Sequence, residues 1–141
     1  MKRITGLLAP LFLCATAAVA ETDLVAQGAE VFGRVCFDCH NATEPNPDMI
    51  APPIFAAKNH YANFTTRDDF VLAVSAFLLD PQEETARMPG AIDQFGLMPP
   101  PDITGAEALA VAEYLYATDF TLPDWYQEHY RAEHGTAPAG N

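Results

Sequence analysis

The chain has 141 residues, of which 7 are Lys or Arg and 19 are Asp or Glu, so its formal net charge is −12 at pH 7. Such an acidic composition excludes nucleic acid as a partner, because binding to phosphates demands a basic face. The length predicts one small domain, with no room for a second core.

Residues 1–20 have the features of a cleaved signal peptide. Lys2 and Arg3 form a positive amino-terminal region, an apolar core follows, and residues 18–20 (Ala-Val-Ala) are a small-residue cleavage site. The apolar run is short and rich in alanine, so we expect export and a mature chain without a transmembrane segment. The alternative is a lipoprotein signal in which Cys14 becomes the acylated amino terminus, although the residue before it is bulkier than such processing prefers.

The mature chain would be more acidic still. Removal of residues 1–20 takes away two basic residues and no acidic one, which leaves 5 basic against 19 acidic residues and a net charge of −14. This charge favours a partner protein with a basic docking surface, through long-range steering. The alternative is that the acidic surface only keeps an exported protein soluble, and the sequence leaves both interpretations open.

A first helix is predicted from Thr22 or Asp23 into the motif Cys36-Phe37-Asp38-Cys39-His40. Two cysteines three positions apart, with a histidine directly after the second, form the attachment motif for c-type haem. Positions i, i+3 and i+4 share one face of a helix, so both sulfurs reach one porphyrin while the imidazole comes up beneath the iron. The sequence therefore predicts one haem c, covalently bound through Cys36 and Cys39, with His40 as an iron ligand.

The same spacing has two other interpretations. A Cys-x-x-Cys pair occurs in thioredoxin-like redox sites and as half of a zinc site. The zinc site would need further ligands, but beyond His40 the mature chain offers only His60, His129 and His134 and no third cysteine. The redox site would need a surrounding βαβ pattern, which the sequence does not show.

The remainder of the chain predicts helices joined by proline-rich loops. Residues 41–65 contain several prolines and are expected to be irregular. Thr66 with Asp69, and Thr104 with Glu107, resemble capping boxes that open two helices. Both runs carry apolar residues at helical period, and two-residue alternation is not found, so the predicted fold class is all-α.

The C-terminal segment is unusually aromatic. A last helix is predicted from Asp124 to the glycine at position 135, and residues 135–141 are predicted to be a disordered tail. The aromatic and apolar residues of segment 119–134 are Phe120, Leu122, Trp125, Tyr126 and Tyr130. The favoured interpretation is a helix packed back on its own domain. The alternative is a docking element of a haem-bearing subunit in a larger oxidoreductase.

The chain resembles a class I cytochrome c over residues 24–118. Gly28 and Phe32 precede the first motif cysteine by eight and four residues, and Tyr114 matches the aromatic position of the family's C-terminal helix. The resemblance implies a small all-α cytochrome c domain over residues 21–134, with helices packed around one covalent haem. It also implies that the N- and C-terminal helices cross at Gly28, where the missing side chain permits a close approach.

The resemblance implies a methionine as the second iron ligand, on a loop before the C-terminal helix. Met98 fits best, because Pro99 and the two prolines after it stiffen that loop. Met88 is the alternative methionine, and either could instead be a core residue that fills a gap. His60 is a further candidate, while Met49 lies too close to the motif to be preferred.

The family also supports its ligating histidine with the carbonyl of a proline that follows the motif. Ala51-Pro52-Pro53-Ile54 resembles that segment, so Pro52 is the expected acceptor for the second ring nitrogen of His40. The alternative is a proline that only shapes the loop.

The function is expected to follow from the two ligands of the haem iron. With His40 and Met98 on the iron, no position remains open for a substrate, which favours a soluble periplasmic carrier of single electrons over an enzyme. Its partners would be other redox proteins. The alternatives are a haem-bearing subunit of a larger oxidoreductase, and a haem enzyme or gas-binding protein whose iron has an open sixth position.

Overall fold

A computed structural model describes residues 15–45 and 47–139, with side chains from residue 23 onward; most of the predicted signal peptide, including Cys14, lies outside the described residues. The helices are α1 (Ala15–Val31), α2 (Phe37–His40), α3 (Ile54–Asn59), α4 (Arg67–Leu79), α5 (Pro89–Phe95), α6 (Gly105–Ala117) and α7 (Asp124–His134). The described residues form no strand, so the predicted all-α class is confirmed. None of the described helices has the length and apolar character needed to cross a membrane.

The helix that carries the motif is longer than predicted and contains an irregularity. α1 begins at Ala15, ahead of the predicted start at Thr22 or Asp23, since the intervening alanine-rich stretch is a strong helix former. The expected cleavage after residue 20 would remove the first six residues of this helix. A π-helical turn, Phe32–Cys36, then joins α1 to α2, and the Phe37 N–H donates to the Phe32 carbonyl. Such turns occur mostly singly within α-helices, frequently at functional sites. The sequence predicted a helix through the motif but gave no sign of this turn.

α1 crosses α6 at Gly28, as the resemblance implied. A Cβ placed on Gly28 would overlap the carbonyl oxygen of Ala110 and lie 2.7 Å from the Cβ of Tyr114. The Tyr114 ring packs beside the crossing against Phe32, with 5.5 Å between ring centroids. The two helices therefore touch backbone to backbone, and the aromatic rings fill the space beside the contact.

We expect Gly28→Ala to lower the free energy of unfolding by about 1–3 kcal/mol, because the added methyl group would force the helices apart. Gly33→Ala is the matched control, since a Cβ there meets nothing within 4 Å. It should leave stability unchanged or raise it by up to about 1 kcal/mol. Urea unfolding followed by far-UV circular dichroism measures both, and equal effects of the two substitutions would contradict the contact.

The main core lies between α1, α4 and α6. Its buried residues are Val31, Phe32, Phe70, Val71, Val74, Leu78, Ala108, Val111, Ala112 and Leu115. Both predicted caps are present: the hydroxyl of Thr104 and the carboxylate of Glu107 satisfy each other's backbone N–H groups at the start of α6. At the start of α4, Thr66 accepts from the Asp69 N–H, but the shorter Asp69 carboxylate binds the Thr66 hydroxyl at 2.7 Å instead of its N–H.

An ion pair with a buried carboxylate joins α4 to α6. Arg67 Nη2 lies 2.7 Å from Glu113 Oε1, and the two side chains are 36% and 6% exposed. A charge at that depth is tolerated only when it is paired and hydrogen-bonded. The pair thus fixes the register of the two helices as well as their contact.

Arg67→Gln should destabilise the fold by about 3 kcal/mol, because it leaves the Glu113 carboxylate buried without its charged partner. Arg34→Gln removes a similarly short pair with Glu107, whose side chains are 57% and 32% exposed, and should have a much smaller effect because solvent screens the pair. Denaturant midpoints of the two variants test this. An equal loss of stability in the two variants would mean that the burial of Glu113 does not determine how much the Arg67 pair contributes to stability.

Residues 41–65 are less irregular than predicted, because they contain α3. Proline is excluded from helix interiors but suits the start of a helix, and here the Pro53 carbonyl accepts the first bond, from the Ala57 N–H at 3.0 Å. α7 spans the predicted bounds and ends at Gly135, which adopts the left-handed conformation with φ 70°.

The predicted packing of the C-terminal segment on its own domain is present. Tyr126 of α7 is 2% exposed and forms a second apolar cluster with Phe55 and Ala56 of α3. The disordered tail stays a prediction, although the described Ala139 carbonyl accepts from Asn59 Nδ2 at 2.8 Å.

Candidate haem cavity

A cavity of about 320 Å³ lies beside the motif. Its lining comes from the motif, from residues 50–52, from helices α3, α4 and α6, and from parts of segment 86–101. Most of the lining side chains are apolar. The five residues that the sequence singled out all line it: Cys36, Cys39, His40, Pro52 and Met98. The structure therefore brings together residues that are up to 62 positions apart in the sequence.

Both motif cysteines are free thiols in this structure, Cys36 half-buried and Cys39 exposed. Burial raises the pKa of the Cys36 thiol, the nearby Cys39 adds to this, and Arg34 opposes it. A thioredoxin-like nucleophile needs the opposite shift, toward thiolate, so the environment of Cys36 does not favour that interpretation. Within the described part of the chain, no cluster of three or more His, Cys, Asp or Glu side chains is arranged to hold a metal ion.

His40 is oriented by the hydrogen bond that the sequence predicted. Its Nδ1 lies 2.7 Å from the carbonyl oxygen of Pro52. Since a carbonyl can only accept, Nδ1 carries the proton and Nε2 keeps its lone pair. Burial lowers the pKa of His40, against a smaller opposing effect of the Pro52 hydrogen bond. The neutral imidazole that a metal ligand requires is thereby favoured.

The two candidate methionines lie in different surroundings, although both line the cavity. Met98 packs against the main core. Met88 packs against the second apolar cluster, whose buried residues are Phe55, Ala56 and Tyr126. His60 and Met49 are not among the lining residues, so neither alternative is placed at the cavity.

Two basic side chains, Lys58 and Arg87, line the cavity together with Tyr61, and the lining set contains no Asp or Glu. Arg87 lies 4.8 Å from the centroid of the Phe64 ring, and burial raises the pKa of Tyr61 while Arg87 lowers it. Neither cation was predicted from the sequence to lie at this site. No local pattern marks them, because Lys58 and Arg87 come from separate segments that only the fold brings together.

His60 lies instead between α3 and α7. Its Nδ1 is 2.9 Å from the Ala56 carbonyl, and its ring packs against Tyr130 and His134 at centroid distances of 5.5 and 5.4 Å. Burial lowers its pKa most; His134 and His129 lower it further, while the Ala56 hydrogen bond and Glu133 raise it.

The lowered pKa of His60 predicts a pH dependence of stability. The unfolded chain takes up this proton at a higher pH than the folded one, so the contribution is complete above the ordinary value of 6.5 and falls as the pH drops below it. We expect wild type to lose more stability than His60→Asn between pH 7.5 and 5. Urea unfolding of both at several pH values tests this, and parallel curves would refute it.

No family model matches the chain, and no curated protein or solved structure matches it. The resemblance to class I cytochromes c therefore rests on the residues quoted above. To these the structure adds a helix crossing at Gly28, an imidazole bound to the Pro52 carbonyl, and one cavity that receives the thiols, the imidazole and a thioether.

Proposed function

We propose that this protein is a periplasmic carrier of single electrons, with one haem c attached through Cys36 and Cys39 and ligated by His40 and Met98. The observation that carries the proposal is that these four side chains line one apolar cavity. The proposal places the chain with the class I cytochromes c, which the Gly28 crossing also supports.

The residues present fit such a group in three respects. The free thiols of Cys36 and Cys39 can form thioethers, and His40 has a neutral ring whose Nε2 is available. The lining is otherwise mainly apolar, as a porphyrin requires. Arg87 lines the cavity and would supply positive charge for the carboxylate side chains that a haem carries, whereas the Lys58 ammonium donates to the Thr118 carbonyl outside the lining.

When bound, the haem supplies an iron centre that alternates between ferric and ferrous states. The apolar lining keeps water away and disfavours the more charged ferric state, and the thioether of Met98 acts in the same direction. With His40 and Met98 both used as ligands, the chain leaves no position for a substrate. That arrangement favours electron transfer over catalysis.

The proposed export rests on the signal features of residues 1–20, and covalent haem attachment agrees with it because that attachment occurs outside the cytoplasm. Ile50 and Leu97 line the cavity and are 66% and 36% exposed. They lie at its rim and offer an apolar contact for another redox protein. The acidic surface favours a partner with basic groups around that contact.

The alternative of a docking subunit draws no support from the C-terminal segment. Tyr126 is 2% exposed against Phe55, and Trp125 donates to the Thr43 carbonyl at 2.9 Å. The segment thus uses its aromatic residues for contacts within the chain.

Optical spectroscopy of the purified holoprotein, beside Met98→Ala and Met88→Ala, tests the proposal. The wild type should show the methionine–iron charge-transfer band of the oxidised protein, Met98→Ala should lose it, and Met88→Ala should keep it. Met88→Ala is the matched control, because it removes the same side chain from the other methionine at the cavity.

An unchanged band in Met98→Ala would refute the ligand assignment. Carbon monoxide binding by the ferrous wild-type protein as readily as by a five-coordinate haem would refute the carrier and support the enzyme or gas-binding alternative. Cys36→Ala and Cys39→Ala should each weaken covalent attachment, measured as haem retained on a denaturing gel.

A further inference from the structure

The loop that carries Met98 depends on how α5 is held. No residue of α5 is buried. The helix ends at Gly96, where a φ of 81° turns the chain, and Met98 follows two residues later. Met98 itself packs against the main core, and the anchor at the other end of α5 is a second constraint on its position.

That anchor is Met88, the residue directly before α5. Its carbonyl accepts from the N–H groups of Ala91 and Ile92 at 3.0 and 3.2 Å, which starts the helix. Its side chain packs against the second apolar cluster, whose buried residues are Phe55, Ala56 and Tyr126. The residue that starts α5 is thus held by a cluster that α3 and α7 supply.

Tyr126 is the centre of this cluster. It is 2% exposed, its ring centroid lies 5.3 Å from that of Phe55, and its hydroxyl reaches Asn59 Oδ1 at 3.4 Å. The neighbouring Trp125 donates to the carbonyl of Thr43, three residues after His40. α7 therefore joins the loop that follows the motif to the start of α5.

We propose that Tyr126 is a positioning residue, which acts through Met88 and α5 to hold Met98 in place at the cavity. This inference rests on the proposed function, in which Met98 is an iron ligand. The cluster stabilises the arrangement in which Met98 is in place, so weakening it increases the fraction of molecules in which Met98 is displaced. A competing ligand that binds only the displaced form gains apparent affinity in proportion to that fraction.

Imidazole titrated into the oxidised holoprotein, followed by the loss of the methionine charge-transfer band, measures that fraction. Tyr126→Leu should bind imidazole about tenfold more tightly than wild type. Tyr116→Leu is the matched control, because Tyr116 is an aromatic residue of α6 that is 41% exposed and outside the cavity lining. It should bind as wild type does.

Met88→Ala tests the same link with α7 intact, so the inference does not depend on the folding of one variant. Met88→Ala should keep the band but bind imidazole more tightly than wild type. The gain in imidazole affinity of the double variant should be smaller than the product of the gains of the two single variants, because both substitutions weaken the same contact. Amide hydrogen exchange over residues 88–98 should be faster in Tyr126→Leu. A merely structural role would lower the urea midpoint and change neither readout.

Wild-type imidazole affinity in both Tyr126→Leu and Met88→Ala would overturn the inference while leaving the proposed function intact. A wild-type protein without the band, or a Met98→Ala variant that keeps it, would overturn the proposed ligand set and the inference with it.

Discussion

The close approach of α1 and α6 at Gly28 is the constraint on which the position of the cavity depends. Because Gly28 has no side chain, the backbone of α1 meets the carbonyl of Ala110, and any side chain would hold the helices apart. The helical run continues from this contact to His40, so the contact also fixes where the thiols and the imidazole lie relative to α6. Val111 and Leu115 of α6 in turn line the cavity. One missing side chain thus sets the distance between a core helix and the motif.

The placement of charge around the cavity is the second constraint. The chain is strongly acidic, yet among the described residues no carboxylate lines the cavity, while Lys58 and Arg87 do. A carboxylate beside an iron centre would favour its more positive oxidation state by direct attraction. Its exclusion therefore agrees with the raised potential that a methionine ligand implies in the proposed carrier. Among the side chains that the structure describes, the one deeply buried carboxylate is that of Glu113, which is bound to Arg67 between α4 and α6, away from the cavity lining.

What could be predicted from the sequence was local or had a fixed spacing. The caps at Thr66 and Thr104 and the stop at Gly135 each involve residues a few positions apart, so their chemistry is visible in the sequence. The partner of His40 was found through a family pattern. The Arg67–Glu113 pair and the cavity cations were missed, because their partners meet only after the helices pack and no periodic pattern marks them. The π-helical turn at Phe32–Cys36 was missed because its residues read as an ordinary helix.

The two methionines show how packing can separate residues that the sequence makes alike. Both are followed by proline, and both line the cavity. Met88, however, packs against the cluster of Phe55, Ala56 and Tyr126, and it would lose that contact if its side chain moved to an iron centre. Met98 lies outside that cluster and packs against the main core, on a loop followed by three prolines. The two methionines are therefore held by different contacts, which agrees with the proposed roles of Met88 as the anchor of α5 and Met98 as a ligand. If the proposed function holds, α7, which supplies Tyr126 to the cluster, belongs to the same functional unit as the motif.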